Sequence, residues 1–210
     1  MTLEPIKSDI EANVSGCRVE VVANNSPSGQ LSLLIDSEHA LAVARFLRDA
    51  EWLRFDYCSN VTGVDWLGKE ISETVKTKRI VDGVELEVEE IQKSRSAGHL
   101  EAVYHLYSME KKHGPVVLRM RTENRTDRVS LPSLTPVWRS AEFQEREIFD
   151  LYGIIFDGHP DLRRILMWEG FEDHPMRKDY VEPDDYEYEP TAHDDVLQKA
   201  KQHRSEAGPQ

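Results

Sequence analysis

The stretch 136–152 constrains this chain more than any other. Trp138, Ala141, Ile148 and Tyr152 recur at steps of three, seven and four residues, which places them on one face of a helix with 3.6 residues per turn. Pro136 suits the first helical position behind a Thr135 cap, and Gly153 ends the pattern. Beyond Gly153 the periodicity disappears. Residues 154–180 mix Ile, Leu and aromatic side chains with breaks at Gly158 and Pro160, at Gly170 and at Pro175. Regular structure does not continue through such punctuation. The chain therefore reads as a folded part, one helix, and an extended arm.

Ahead of that helix the pattern is α+β. Residues 2–15 suit a short helix. Cys17–Ala23 alternates, Asn24–Gly29 is a turn cluster and Leu31–Ile35 is a second strand, so 17–35 reads as a hairpin. Asp36 or Ser37 caps a helix to about Ala50, striped by Ala40, Val43, Phe46, Leu47 and Ala50. A third strand lies within Phe55–Leu67. Gly68–Gly98 is polar and uneven; it reads as an insertion with short strands at Lys78–Val81 and Val84–Glu89. Leu100–Met109 and Pro115–Arg121 make the clearest hairpin, with Val116, Leu118 and Met120 on one face and Val117, Arg119 and Arg121 on the other. The expected fold is an antiparallel or mixed sheet with packed helices over 1–130, the helix segment over 131–156, and an extended partner-binding arm with an acidic tail over 157–210.

Composition narrows the function. The 210 residues carry a net charge of −13 and show no basic stripe, which argues against nucleic acid and against direct attraction to anionic lipid. Cys17 and Cys58 are the only cysteines and no CxxC occurs, whereas a cluster or structural zinc site takes about four Cys-rich ligands. Both are read as reduced, half-buried thiols. Neither a GxGxxG nor a GxxxxGK[ST] phosphate pattern is present. No signal peptide and no run of ~18–20 apolar residues is found, so a membrane is expected to be met only through partner subunits.

Within 136–152, Glu145 falls in the middle of the apolar stripe. A carboxylate on a core face is costly unless satisfied. Either Glu145 reaches solvent from the edge of the stripe, or it is buried and held by an arginine, with Arg163 and Arg164 as candidates. Glu142, Arg146 and Asp150 follow one another at i,i+4 steps on the other side and read as a solvated or partner-facing charged face. His159-Pro160 and His174-Pro175 bracket the arm; residues before proline are extended, so neither histidine sits inside a helix. A metal site from His159, His174, Asp161 and Asp173 matches no ligand spacing. An acid/base set from Glu145, Glu147, His159 and Asp161 needs a cleft that sequence does not reveal. An arm that grips another surface accounts for the same residues.

The segment 145–166, EREIFDLYGIIFDGHPDLRRIL, resembles the signature of the 30 kDa subunit family (the C-type subunit) of bacterial NADH:quinone oxidoreductase, respiratory complex I. The residues that carry the resemblance are Glu145, Arg146, Glu147, Asp150, Leu151, Tyr152, His159, Arg163, Ile165 and Leu166. His174–Tyr180 is similar too, as are Val64-Asp65 and Tyr104–Tyr107 more distantly. The resemblance implies a soluble subunit on the cytoplasmic side of the bacterial inner membrane, packed against the D-type subunit, which helps form the quinone pocket. It implies no cofactor on this chain; FMN, iron–sulfur clusters, NADH and quinone belong to the complex as a whole. Glu145, Arg146, Glu147, Asp150, His159, Asp161, Arg163, Arg164, His174, Arg177 and Lys178 are then structural or interface residues, and none is catalytic. Two other readings stay open. One is the equivalent subunit of a membrane-bound hydrogenase or F420H2 dehydrogenase complex, and the other is a free-standing hydrolase using the carboxylates between 145 and 161.

Overall fold

The structure, a computed structural model, describes residues 2–24, 27–81, 84–127 and 129–181, and for 69–96 the backbone alone. The acidic run 182–195 lies outside the described residues. Helix α1 (Glu4–Asn13) leads into the hairpin β1 (Val19–Ala23) and β2 (Leu31–Ile35), followed by α2 (Ala40–Asp49). Neither Asp36 nor Ser37 caps α2: His39 is the N-cap residue and no side chain caps the helix, while the Asp36 carboxylate accepts the His39 amide at 3.2 Å just ahead of it. Then come β3 (Tyr57–Trp66), β4 (Lys69–Val81), β5 (Val84–Ser96), β6 (His99–Ser108) and β7 (His113–Arg121). The main sheet runs β1-β2-β7-β6-β3. It is mixed, because β2 pairs parallel with β7 while the other neighbours are antiparallel.

Alternation in β7 sets the faces. Val116, Leu118 and Met120 are fully buried and join the core with Leu33, Ala102, Tyr104 and Leu106. Ile6 and Ile10 of α1, and Val43 and Leu47 of α2, close that core from the helical side. Val103 and Val117 are also buried, yet they lie outside this cluster, because strand alternation puts them on the opposite face.

The segment 68–98 is more regular than expected. Trp66 pairs with His99 and Lys69 with Ser96, so β4 and β5 prolong the β3–β6 hairpin in unchanged register as far as Val81 opposite Val84. The overlooked signal is Asp82-Gly83 between those two valines, a dipeptide that favours two-residue hairpin loops.

The signature helix also differs from expectation. Helix α3 spans Glu142–Tyr152, preceded by a 3-10 turn at Arg139–Ala141, and Trp138 is extended (φ −124, ψ 101). The Thr135 hydroxyl does not cap a helix at Pro136; it turns instead to the Glu145 carboxylate at 3.1 Å. Trp138 stays buried and donates its indole N–H to the Phe55 carbonyl at 2.7 Å. Gly153 ends the helix in the left-handed region (φ 74) as the sequence indicates. A short parallel pair, β8 (Ser130–Pro132) with β9 (Ile155–Asp157), ties the two ends of this segment together. Helix α3 presses on β3 at Gly63, where a Cβ would come within 2.5 Å of the Tyr152 ring. Residues Met1–Lys178 cluster as one compact unit.

Candidate functional site

Glu145 is fully buried, as its place in the stripe suggests, but no arginine holds it. Its Oε1 accepts from the Tyr104 hydroxyl and the Leu134 amide, each at 2.9 Å. Its Oε2 meets the hydroxyls of Ser133 at 2.5 Å and Thr135 at 3.1 Å. Burial raises the carboxyl above its ordinary value, and the four donors only partly oppose this. Burial, with Glu145 alongside, likewise pushes the Tyr104 phenol well above its usual range. The expected arginine partners are engaged elsewhere. Arg163 pairs with Asp161 at 3.0 Å, and Arg164 pairs with Asp150 at 2.7 Å.

The charged side of α3 is not solvated. Arg146 is 5% exposed and Asp150 is 0% exposed, because the segment 161–167 lies across them. Asp150 Oδ2 accepts three successive backbone amides, from Ile165, Leu166 and Met167, at 3.0, 2.7 and 2.9 Å. Burial alone would raise this carboxyl. Those amides and the Arg164 guanidinium outweigh burial and hold it below its ordinary value. Arg146 donates to the carbonyls of Arg163 at 3.1 Å and Arg164 at 3.5 Å. Extended backbone that could not pair in a sheet is thus satisfied by two side chains of one helix.

The same arm closes the end of α3. The carbonyl of Asp150 accepts from Arg164 at 3.2 Å and from His174 Nδ1 at 3.0 Å. The Leu151 carbonyl accepts the Met176 amide at 3.1 Å, and the Tyr152 carbonyl accepts Arg177 Nε at 2.7 Å. A helix C-terminus leaves carbonyls unpaired and carries partial negative charge, so cationic donors suit it. Gly153 permits the contact, since a Cβ there would lie 2.4 Å from the His174 ring. Burial comes first among the effects that hold His174 below its ordinary value. His159 bridges the arm to the start of α3: Nδ1 accepts from the Asp161 amide at 3.0 Å, so Nε2 donates to the Glu142 carbonyl at 2.9 Å. Both histidines serve as backbone clamps. Among the described residues no three His, Cys, Asp or Glu side chains converge as a metal-binding group.

Of the eleven residues singled out in the sequence, Arg146, Asp150, His159, Asp161, Arg163, Arg164, His174 and Arg177 build this clasp. Glu145 occupies its own pocket next to it, and Glu147 is exposed. Lys178 belongs to a second lock at the far end of the arm: its amide donates to Asp65 at 2.8 Å, and its Nζ lies 5.7 Å from the Trp66 ring centre. Asp65, 3% exposed, also takes a bidentate pair from Arg125 at 2.6 and 2.7 Å. Periodicity does not reveal Arg125, Tyr104, Ser133 or Thr135 as members of these sites. Only the resemblance at Val64-Asp65 and Tyr104–Tyr107 touches them. The two thiols, read as half-buried, are buried, and burial pushes Cys58 up to about 12.

A family model described as the 30 kDa subunit of respiratory-chain NADH dehydrogenase matches residues 33–186, a span that contains every residue of both locks. The chain belongs to this family. The resemblance carried by residues 145–166 is thereby confirmed. Among its relatives, the C-type subunit of the NADH-quinone oxidoreductase of Roseiflexus castenholzii is 39% identical over 151 residues, covering 72% of this chain and 70% of the relative. The corresponding C-type subunit of Caulobacter vibrioides is 35% identical over 179 residues, covering 85% and 73%. Two solved structures are similar. A trypsin-resistant fragment of Nqo5 aligns with 25% identity over 77% of this chain and all of the fragment, at a TM-score of 0.46. A chain of the membrane-bound sulfane sulfur reductase, an archaeal respiratory membrane complex, aligns over 93% of this chain and 91% of its own length, with 18% identity and a TM-score of 0.54. The latter shares the fold. Among the described residues no helix is long and apolar enough to cross a membrane.

Proposed function

We propose that this chain is a non-catalytic structural subunit of the peripheral arm of an NADH:quinone oxidoreductase, docked through the outside of the clasp on the D-type subunit that helps form the quinone pocket. The observation that carries the reading is how the arm divides its residues. The amides of 165–167 and the side chains of Arg164, His174 and Arg177 turn onto α3, while Leu166 (56% exposed), Trp168 (55%) and Met176 (52%) remain outside, with Phe143 (65%) on α3 itself. Burying such side chains is favourable by about 1.5–3 kcal/mol each, and a set of this size marks a contact surface. Of the acids that carry the family resemblance, Glu147 is left exposed, and it is available to a cationic group of the partner. Glu145 and Asp150 are fully buried and engaged, which speaks against their use as an acid/base pair on a diffusing substrate. FMN, the iron–sulfur clusters, NADH and quinone would then be bound by other subunits, and this chain would lie on the cytoplasmic side of the bacterial inner membrane. A photo-crosslinking amino acid at Leu166, in the assembled complex, should label a peptide of the quinone-pocket subunit. Labelling of lipid alone, or of no other subunit, would refute the docking.

A second reading keeps the architecture and changes the company. The fold shared with a chain of the archaeal sulfane sulfur reductase makes an equivalent place in a related complex, such as a membrane-bound hydrogenase, the alternative. Subunits that co-purify from membranes discriminate: a nickel-binding partner would favour the hydrogenase.

A further inference from the structure

The five-stranded sheet ends on β1 at one side and on β3 at the other. An edge strand leaves a row of amides and carbonyls without ladder partners, and proteins cover such rows or blunt them. The β3 edge is covered by α3 and the turn ahead of it. There the Val61 amide donates to Gln144 Oε1 at 2.5 Å, and the Cys58 carbonyl accepts from the Ser140 hydroxyl at 2.8 Å.

The β1 edge stays open. The Asn24 amide donates to the Gln30 carbonyl at 3.0 Å, and the Val22 carbonyl takes the Ser32 hydroxyl at 3.1 Å. Bonded and unbonded residues alternate along an antiparallel pair. Glu20, Val22 and Asn24 therefore turn their backbone groups to β2, while Val19, Val21 and Ala23 turn theirs outward. Among the described residues none of those outward amides and carbonyls has a protein partner. The strand, VEVVA, also lacks the usual edge devices: it has no proline, no lysine and no bulge against β2. Its valines favour the extended state. What this edge presents is backbone, and an open row of backbone groups recognises another extended backbone.

A second copy of this chain is disfavoured as the occupant. Two β1 strands paired antiparallel about Val21 would set their exposed Glu20 side chains as diagonal neighbours on one face, about 7–8 Å apart. Each molecule also carries a net charge of −13, which opposes self-association.

We propose that β1 receives a sixth strand from another subunit, an extended segment whose main chain pairs with Val19, Val21 and Ala23 and which sets no acidic side chain beside Glu20. The proposal rests on the reading of this chain as a subunit of a larger complex, and it adds a contact at the sheet edge opposite the one that α3 covers.

Residue-resolved hydrogen exchange tests it, on the free full chain and on the assembled, membrane-bound complex. In the free chain the amides of Val21 and Ala23 should exchange at least about tenfold faster than those of Glu20 and Val22, and in the complex they should slow at least about tenfold. Ala23→Pro removes one outward amide at an exposed position and breaks no bond to β2. It should leave the Tm of the free chain within about 2 °C and lower the recovery of this chain with the complex at least about threefold. Ala23→Val keeps the amide and should be recovered like the wild type. p-Benzoylphenylalanine at Glu20 should give an adduct with a peptide of another subunit. The exchange and the adduct need no proline, so they decide the matter even where Ala23→Pro fails to fold. The proposal is overturned by equally fast exchange at Val21 and Ala23 in both samples, by slow exchange already in the free chain, by an adduct to lipid or to this same chain, or by full recovery of a folded Ala23→Pro. Unchanged exchange at β1 with the quinone-pocket subunit labelled from Leu166 removes only this inference. Slowed exchange at Val21 and Ala23 with nothing labelled from Leu166 removes only the docking of the clasp.

Discussion

Glu145→Gln and Glu145→Ala leave different things behind in the same pocket. Alanine removes both acceptor oxygens. Ser133 and Thr135 can still bond to each other across 2.9 Å, but the Tyr104 hydroxyl and the Leu134 amide lose their acceptor. Two orphaned buried donors cost about 1–3 kcal/mol each, and the vacated volume adds to this, so the loss is about 3–5 kcal/mol. For a domain of this size that is a fall of roughly 10 °C in Tm. Glutamine keeps one carbonyl for Tyr104 and Leu134, and its amide can donate to the two hydroxyl oxygens. Because no cation is paired with Glu145, loss of the charge strands nothing, and the cost should stay under about 1 kcal/mol. Urea unfolding of the full chain, with thermal melts alongside, measures both. The pH dependence supplies a second check. The folded pKa of Glu145 is raised, so the unfolded chain releases this proton first. Stability from this group is therefore greatest below the unfolded value of about 4.3 and declines as pH rises through the folded value. Glu145→Gln removes that decline and should gain on the wild type as pH rises from 4 to 8. If Glu145→Gln is as damaging as Glu145→Ala, an ion pair holds this residue after all, since breaking a buried pair costs about 3–5 kcal/mol.

Asp150→Ala should cost about 2–4 kcal/mol and speed hydrogen exchange at the amides of 165–167; unchanged exchange there would show that the arm is held by other contacts. The folded pKa of Asp150 is lowered, so its stabilisation is full above about 3.9 and is lost only as pH falls through the folded value beneath that; acid titration of the same amides should show the arm closed at pH 5. Gly63→Ala would put a Cβ 2.5 Å from the Tyr152 ring and should destabilise by about 1–3 kcal/mol, read as a lower urea midpoint. Gly153→Ala meets both the left-handed backbone and the His174 ring at 2.4 Å; a loss of about 1–3 kcal/mol, with faster exchange at Met176, is expected, and wild-type exchange would refute the contact.

What the sequence by itself determined is what depends on neighbours along the chain. The 3.6-residue stripe of α2, the two faces of β7 and the stop at Gly153 follow from backbone geometry repeated over a few residues, and each is where periodicity puts it. The same reasoning located a carboxylate on an apolar face at Glu145. It could not name what satisfies that carboxylate. Tyr104 is 41 residues away and reaches it only because β6 pairs with β3, the strand on which α3 packs. Arg125 and Asp65, 60 residues apart, meet in the same way. Periodicity also misjudged the polar side of α3, since it separates two faces of a helix without saying what covers the second. There the tertiary structure decided: an arm unable to form its own ladder lays its amides and carbonyls on Asp150 and Arg146. Buried backbone polar groups must find partners wherever they are, and which side chain comes within 3 Å of them is set by the packing of the whole chain.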